Sequence, residues 1–176
     1  GWHRARWGSN RFPFGPSVRV GALPAAGEWV RLEVPAEDVG LAGSKVTGMA
    51  FTLFGGKAVW DAAGNAGPGV APPAQPVTEI WLDDALPNNT IRRRTSGNDS
   101  WDDWITENPS PFLGSRSHLS RRDDGLHQHY FTVPSANAWP VAAGDRLFAY
   151  VYIRPGIAPS MVMLQFFDGS GWVRAR

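Results

Sequence analysis

Three groups of residues in this chain have the types and spacing to do chemistry. His127 and His129 flank Gln128. In a strand, positions i and i+2 share a face, so two imidazoles could serve one metal, with His118, Asp123 or Asp124 completing it. Phe131 and Val133 continue the same face, so hydrogen bonding at a core edge is the competing reading. Asp99, Asp102 and Asp103, beside Asn98, offer the oxygen ligands of a hard cation, and Ca2+ is the candidate cofactor. EF-hand spacing is absent. Trp101 and Trp104 interleave with those acids, Trp60 and Trp81 stand near Asp61 and Asp83, and Tyr130 joins them as a ligand-binding set. Sugars pack C–H faces on aromatic rings while polar neighbours bond their hydroxyls. Packing accounts for at least half of the nine tryptophans, and turn capping accounts for Asp83 and Asp84.

Catalytic signatures are thin. The chain has no cysteine, which removes thiol catalysis, disulfides, Cys-ligated zinc and iron–sulfur clusters. It also has no Gly-x-Ser-x-Gly elbow, phosphate loop, His-Glu-x-x-His motif or dinucleotide fingerprint. Glycoside hydrolysis needs two carboxylates on one cleft. Glu28, Glu33, Glu37, Glu79 and Glu107 mostly occupy positions typical of surface charge. The expectation is a protein that is not an enzyme.

The elements that must position these residues are strands. Period-two patterning marks residues 28–34, where Val30, Leu32 and Val34 oppose Trp29, Arg31 and Glu33. It recurs over 126–133, with His127, His129 and Phe131 on one face. It recurs again over 146–154, with Leu147, Ala149, Val151 and Ile153 opposite Phe148, Tyr150 and Tyr152. Residues 48–54 are apolar on both faces, as in a central strand. Further strands are predicted over 57–61, 78–83, 161–167 and 171–176. Residues 62–76 and 87–119 read as loops, with room for a short helix within 99–106. Glycine plus proline make up 35 of 176 residues, a density that breaks helices and favours short strands joined by turns. The predicted fold is an all-β antiparallel sandwich or jelly roll.

Length and charge narrow the classes. At 176 residues the chain suits one domain, and 43% hydrophobic residues can fill a core. Seventeen basic against sixteen acidic side chains leave no field to hold nucleic acid. The longest apolar run, residues 147–153, is far short of a membrane span. The chain begins at Gly1 without Met or signal peptide, which reads as a processed chain or an excised piece.

A duplication spans the chain. Residues 1–6 read GWHRAR and residues 171–176 read GWVRAR, five matches in six at an offset of 170. Either two similar edge strands serve one domain, or the chain covers a repeating unit cut within the same strand at each end. Trp2, Arg4, Arg6, Trp172, Arg174 and Arg176 are thereby the candidates for association with other copies of the chain.

The segments EWVRLEVPAEDVGLAGSKVTGMAFTLFGGKAVWD (28–61) and VTEIWLDDALP (77–87) resemble part of a galactose-binding-type, carbohydrate-binding-module-like jelly roll. Such modules carry a W-x-x-hydrophobic-x-V-P strand and a G-x-x-F-x-x-x-G-G strand pair, with a last strand closing in Asp-Asp. GLHQHYF (125–131), GDRLFAYVYIRP (144–155) and PSMVMLQFFDGSGWVRAR (159–176) resemble the companion half. The likeness is to non-catalytic modules of large secreted or surface bacterial proteins, including planctomycete cytochrome-domain and Rhs-type repeat proteins. In that family the companion half comes first; here residues 1–87 are the back half and 88–176 the front half, together one sandwich in permuted order. The resemblance implies an extracellular or cell-surface module that binds polysaccharide or surface glycan. The alternative it leaves is a structural subunit that assembles through terminal-strand exchange, its fold completed by another copy.

Overall fold

A computed structural model describes residues 1–67 and 78–170, with backbone only at 94–96. Among the described residues there are twelve strands, a single 3-10 turn at Ser135–Asn137 and no α-helix, so the all-β expectation holds. The strands are β1 (Trp2–Gly8), β2 (Val18–Gly21), β3 (Trp29–Pro35), β4 (Ser44–Val46), β5 (Gly48–Ala66) and β6 (Thr78–Leu82). They continue as β7 (Ile91–Ser96), β8 (Trp104–Ile105), β9 (Ser117–Thr132), β10 (Trp139–Val141), β11 (Arg146–Ile153) and β12 (Met161–Phe167). Ten form one sheet whose main path runs β2-β1-β12-β5-β11-β3, while β4 and β10 make a small second sheet. Along this path β12 and β11, from residues 88–176, lie between β1, β5 and β3, from residues 1–87.

The organising element is β5. Two predicted strands and part of a predicted loop merge in it, because the Gly55–Gly56 pair bends the strand and does not end it. Before the bend β5 pairs with β12 on one side and the end of β9 on the other; after it, with β11, the start of β9, and β6. Phe51 and Trp60 lie either side of the bend with ring centroids 5.1 Å apart. Nine residues of straight strand would separate them by about 30 Å. The sheet therefore folds over at the glycines, and its two halves face each other across Met49, Phe51, Leu53, Trp60, Leu147, Val151, Leu164 and Phe166, all fully buried. The arrangement is consistent with an all-β sandwich.

Other departures from the sequence reading have local causes. The region predicted as one loop over 87–119 holds β7, β8 and the start of β9, whose arginines and acids mask the strand period. The helix allowed within 99–106 is instead a turn leading into β8. The predicted strand over 171–176 and most of the 62–76 loop lie outside the described residues, although 62–66 belong to β5. Among the described residues no helix is long and apolar enough to cross a membrane.

Gly56 has φ +72°, and a Cβ there would lie 2.4 Å from Pro159 N and 2.5 Å from Ile157 O, both backbone atoms. Gly43 has a similar φ of +74° but open space around it. Gly43→Ala should therefore cost about 1–2 kcal/mol, the left-handed penalty alone. Gly56→Ala should cost about 3 kcal/mol or more, because backbone cannot yield as a side chain does. Urea unfolding of both variants measures the gap; equal losses would contradict the corner's role.

Candidate functional site

The three chemical groups of the sequence meet different fates. His127 and His129 do share a face of β9, buried as the alternation implies. Their common partner is Asp99, on the turn between β7 and β8. His127 Nδ1 lies 3.0 Å from Asp99 Oδ1, and His129 Nδ1 lies 3.1 Å from Oδ2. The Arg121 amide also donates to Oδ1, at 2.9 Å. His129 Nε2 meets His118 Nδ1 at 2.8 Å, and His127 Nε2 meets the Gly55 carbonyl at 3.2 Å.

These contacts fix the protons. His127 faces an acceptor at both nitrogens, so both must carry hydrogen, and an imidazolium–carboxylate pair forms inside the protein. His129 Nδ1 donates to Asp99, its Nε2 shares one proton with His118 Nδ1, and His118 Nε2 has no partner among the described residues. Burial opposes the charge on Asp99, but the hydrogen bonds and charges of His127 and His129 outweigh it and hold the carboxyl at about 2. Burial likewise opposes protonation of His127, and Asp99 overcomes it, so the His127 pKa is raised. Burial and then the charge of His129 push His118 well below the ordinary histidine value.

Aromatic rings close this network off. Phe51 stacks on His129 at 5.4 Å, and Trp101 meets His129 edge-on at 4.6 Å and His118 at 5.0 Å. Asp99, His118, His127 and His129 are each at most 1% exposed. The cluster is thus a dry fastening of the 97–103 segment onto β9. Among the described residues no group of three or more His, Cys, Asp or Glu is arranged to hold a metal. The calcium candidates separate accordingly: Asp99 faces the histidines, Asp102 bonds Ser100 and Arg92, and Asp103 pairs with Arg121.

The aromatic candidates are mostly interior. Trp60, Trp81 and Trp101 are 0%, 5% and 4% exposed, so their rings present no face to a sugar. Trp101 Nε1 donates to the Tyr130 carbonyl and Trp60 Nε1 to Ser120 Oγ, while Trp81 stacks on Trp139 at 4.8 Å. Trp104 is half-buried, with its indole bonded to the Trp101 carbonyl and Arg116 over its ring. Tyr130 is half-buried with the Trp2 ring edge-on at 5.4 Å. Trp2, Arg4 and Arg6 project from one face of β1, which lies between β12 and β2. Arg4 Nε bonds Gln165 Oε1 at 2.8 Å, and Arg6 Nε bonds Ser17 Oγ at 3.0 Å. Trp172, Arg174 and Arg176 lie outside the described residues.

An aromatic surface does exist, on the outer face of β3 and β11. Their antiparallel register sets Trp29 against Tyr152, Arg31 against Tyr150 and Glu33 against Phe148. Trp29 and Tyr152 have ring centroids 5.7 Å apart, and Arg31 lies 4.0 Å over the Phe148 ring. Arg31 Nε is 2.7 Å from Glu33 Oε2, and Arg146 pairs with the other oxygen of Glu33. Phe112, from the segment before β9, stacks on Tyr150 at 3.9 Å and lies 6.4 Å from Trp29, yet is 48% exposed. Trp29 Nε1 donates to the Ser110 carbonyl.

Two carboxylates hold Phe112 there. Buried Asp61 accepts from the amides of Phe112 (2.6 Å) and Leu113 (3.3 Å) and from Ser117 Oγ (3.0 Å). Asp84 accepts from the amides of Ser115 and Arg116. It therefore ties down a distant segment, where the sequence suggested a cap for its own turn. Burial, then the hydrogen bond and charge of Asp61 and the charge of Asp84, push Asp83 between them up to about 6. The faces of this strip were visible in the alternation over 28–34 and 146–154; only the pairing of those strands, and the fold-back of Phe112, were not.

Comparison with protein-family models, curated proteins and solved structures finds no match.

Asp99→Ala should strand the His127 charge and cost about 3–5 kcal/mol at pH 7, the usual loss on breaking a buried pair. A loss under about 1 kcal/mol would contradict the fastening role. The pH dependence adds a second check. The Asp99 pKa is lower folded than unfolded, so its contribution is full above about 4 and disappears as pH falls toward 2. Asp99→Asn should flatten the fall of unfolding free energy across that window; an unchanged slope would place the titration elsewhere.

Proposed function

We propose that this protein is a non-catalytic, extracellular β-sandwich module that binds carbohydrate on the outer face of β3 and β11. The observation that carries the reading is the strip of Trp29, Tyr152 and Phe112 beside the charged group of Arg31, Glu33 and Arg146. Rings held rigidly on paired strands can take the C–H face of a sugar with little loss of side-chain freedom. Arg31, two residues along β3 from Trp29 and level with Tyr150, and Glu33 beyond it supply donors and acceptors for hydroxyls. The strip lies on strands and on a segment pinned by Asp61 and Asp84, which gives it a fixed shape. The acid-rich segments support a non-catalytic reading because their best buried carboxylates, Asp61 and Asp99, are saturated by internal donors.

Affinity electrophoresis through gels containing neutral plant, fungal and bacterial polysaccharides tests this reading. One polysaccharide should retard the protein, and Trp29→Ala or Tyr152→Ala should weaken that binding about ten- to a hundredfold, equivalent to about 1.4–2.8 kcal/mol. Trp104→Ala should leave it within about twofold. Retardation that survives both strip variants but not Trp104→Ala would overturn the assignment.

A further inference from the structure

A patch of positive charge along β1 and β2 is not absorbed by that function. β2 ends the sheet path and runs parallel to β1, with Arg6 and Arg19 as register partners. Register partners share a face, so the two guanidinium groups project side by side from strands about 4.8 Å apart. Arg6 donates from Nε to Ser17 Oγ at 3.0 Å and from Nη1 to the Gly8 carbonyl at 3.4 Å, which holds its plane and leaves Nη2 uncommitted. Arg19 is exposed, and its guanidinium has no partner among the described residues. Nearby, Arg4 lies over the Phe12 ring at 5.0 Å and Arg11 over the Phe54 ring at 5.8 Å. Among the described residues none of these arginines has a carboxylate within ion-pair distance, whereas Arg31, Arg92, Arg121 and Arg146 each have one.

Like charges held opposite each other on neighbouring strands repel, and an anion between them turns that cost into attraction. Arg6 and Arg19 also line an open groove of about 640 Å³, together with Ser9, Asn10 and Ser160. Among the described residues no acid lines this groove; Glu37 and Asp38 line a different cleft, at the Trp2 end of β1. We infer that the groove is a second binding site, which takes an acidic polysaccharide by gripping one carboxylate or sulfate between Arg6 and Arg19. The planar guanidinium fork presents parallel N–H groups to two oxygens of either anion. Ser9, Asn10 and Ser160 offer donors and acceptors to the sugar hydroxyls around that anion. Arg4 and Arg11 raise the positive potential beside it. The charge is local, since seventeen basic groups meet sixteen acidic ones over the whole chain, and this favours a sugar polymer over a nucleic-acid duplex or an anionic membrane. The β1–β2 and β3–β11 pairs stand at opposite ends of the sheet path, so this site does not rest on the aromatic strip.

Affinity electrophoresis of the full chain through gels containing polygalacturonate or dextran sulfate tests this. At low salt at least one of the two polymers should retard the protein; retardation by polygalacturonate alone assigns a carboxylate, by dextran sulfate alone a sulfate. Arg6→Gln with Arg19→Gln should weaken that binding about tenfold or more. Arg93→Gln with Arg122→Gln removes the same charge from exposed positions on β7 and β9 and should leave it within about twofold. Trp29→Ala should also leave it within about twofold. Arg19→Gln alone breaks no contact of the folded chain and should still weaken binding severalfold, so a double variant that fails to fold does not end the test. No retardation by either polymer, or equal losses in the two arginine pairs, would overturn the inference. So would binding to duplex DNA or phosphatidylserine vesicles as tight as to the better polymer. A loss with Trp29→Ala equal to that of the Arg6 and Arg19 pair would move the acidic polymer to the strip and likewise overturn it.

Discussion

Everything in this fold depends on one strand that is buried from both sides and bends in the middle. β5 pairs along nearly its whole length on both edges, and its flanks before and after Gly55–Gly56 are sealed by packing. A strand so placed cannot slip in register without moving apolar side chains out of the core. Its bend decides which residues are interior, because Phe51 and Trp60 meet only if the sheet closes over them. The same bend leaves the Gly55 carbonyl at the corner, where His127 takes it, and so joins the backbone turn to the buried charge network.

Buried carboxylates do the second part of the work. Asp99 and Asp61 are fully buried, and each gathers donors from distant parts of the chain. An ionised carboxylate inside a protein is tolerated only when its lone pairs are taken up. Each thus fixes a segment that would otherwise be a long polar excursion: Asp99 secures 97–103 against β9, and Asp61, with Asp84, secures 112–117 against β5 and β11. Asp99, which the sequence offered as a cation ligand, is engaged instead by His127, His129 and the Arg121 amide, and Asp61 and Asp84 shape the surface around Phe112 and Trp29 that carries the proposed function.

Much of this was legible in the sequence. Period-two runs located β3, β11 and the end of β9, and set His127, His129 and Phe131 on one face, which the structure buries. The continuous apolar run of 48–54 marked a central strand. What sequence patterns could not reveal has a common cause, long-range pairing. Gly-Gly reads as a turn until both flanks are seen to pair with the same neighbour, β9. Trp101 sits among acids and reads as exposed, yet it is drawn into the core because Asp99, two residues before it, is fastened to β9. The facing of Trp29 by Tyr152 follows from the β3–β11 register, which neither strand encodes alone.

The most direct measurement is the indole N–H spectrum of 15N-tryptophan-labelled protein, titrated with a soluble oligosaccharide of the retarding polysaccharide. Nine tryptophans give nine candidate signals. Trp29 donates to Ser110 at the protein surface, whereas Trp101 and Trp60 donate inside the protein to Tyr130 and Ser120. A surface strip organised by a sealed interior predicts that the Trp29 signal shifts in a saturable manner while those of Trp101 and Trp60 stay fixed. Movement of the Trp101 signal with Trp29 unmoved would contradict it.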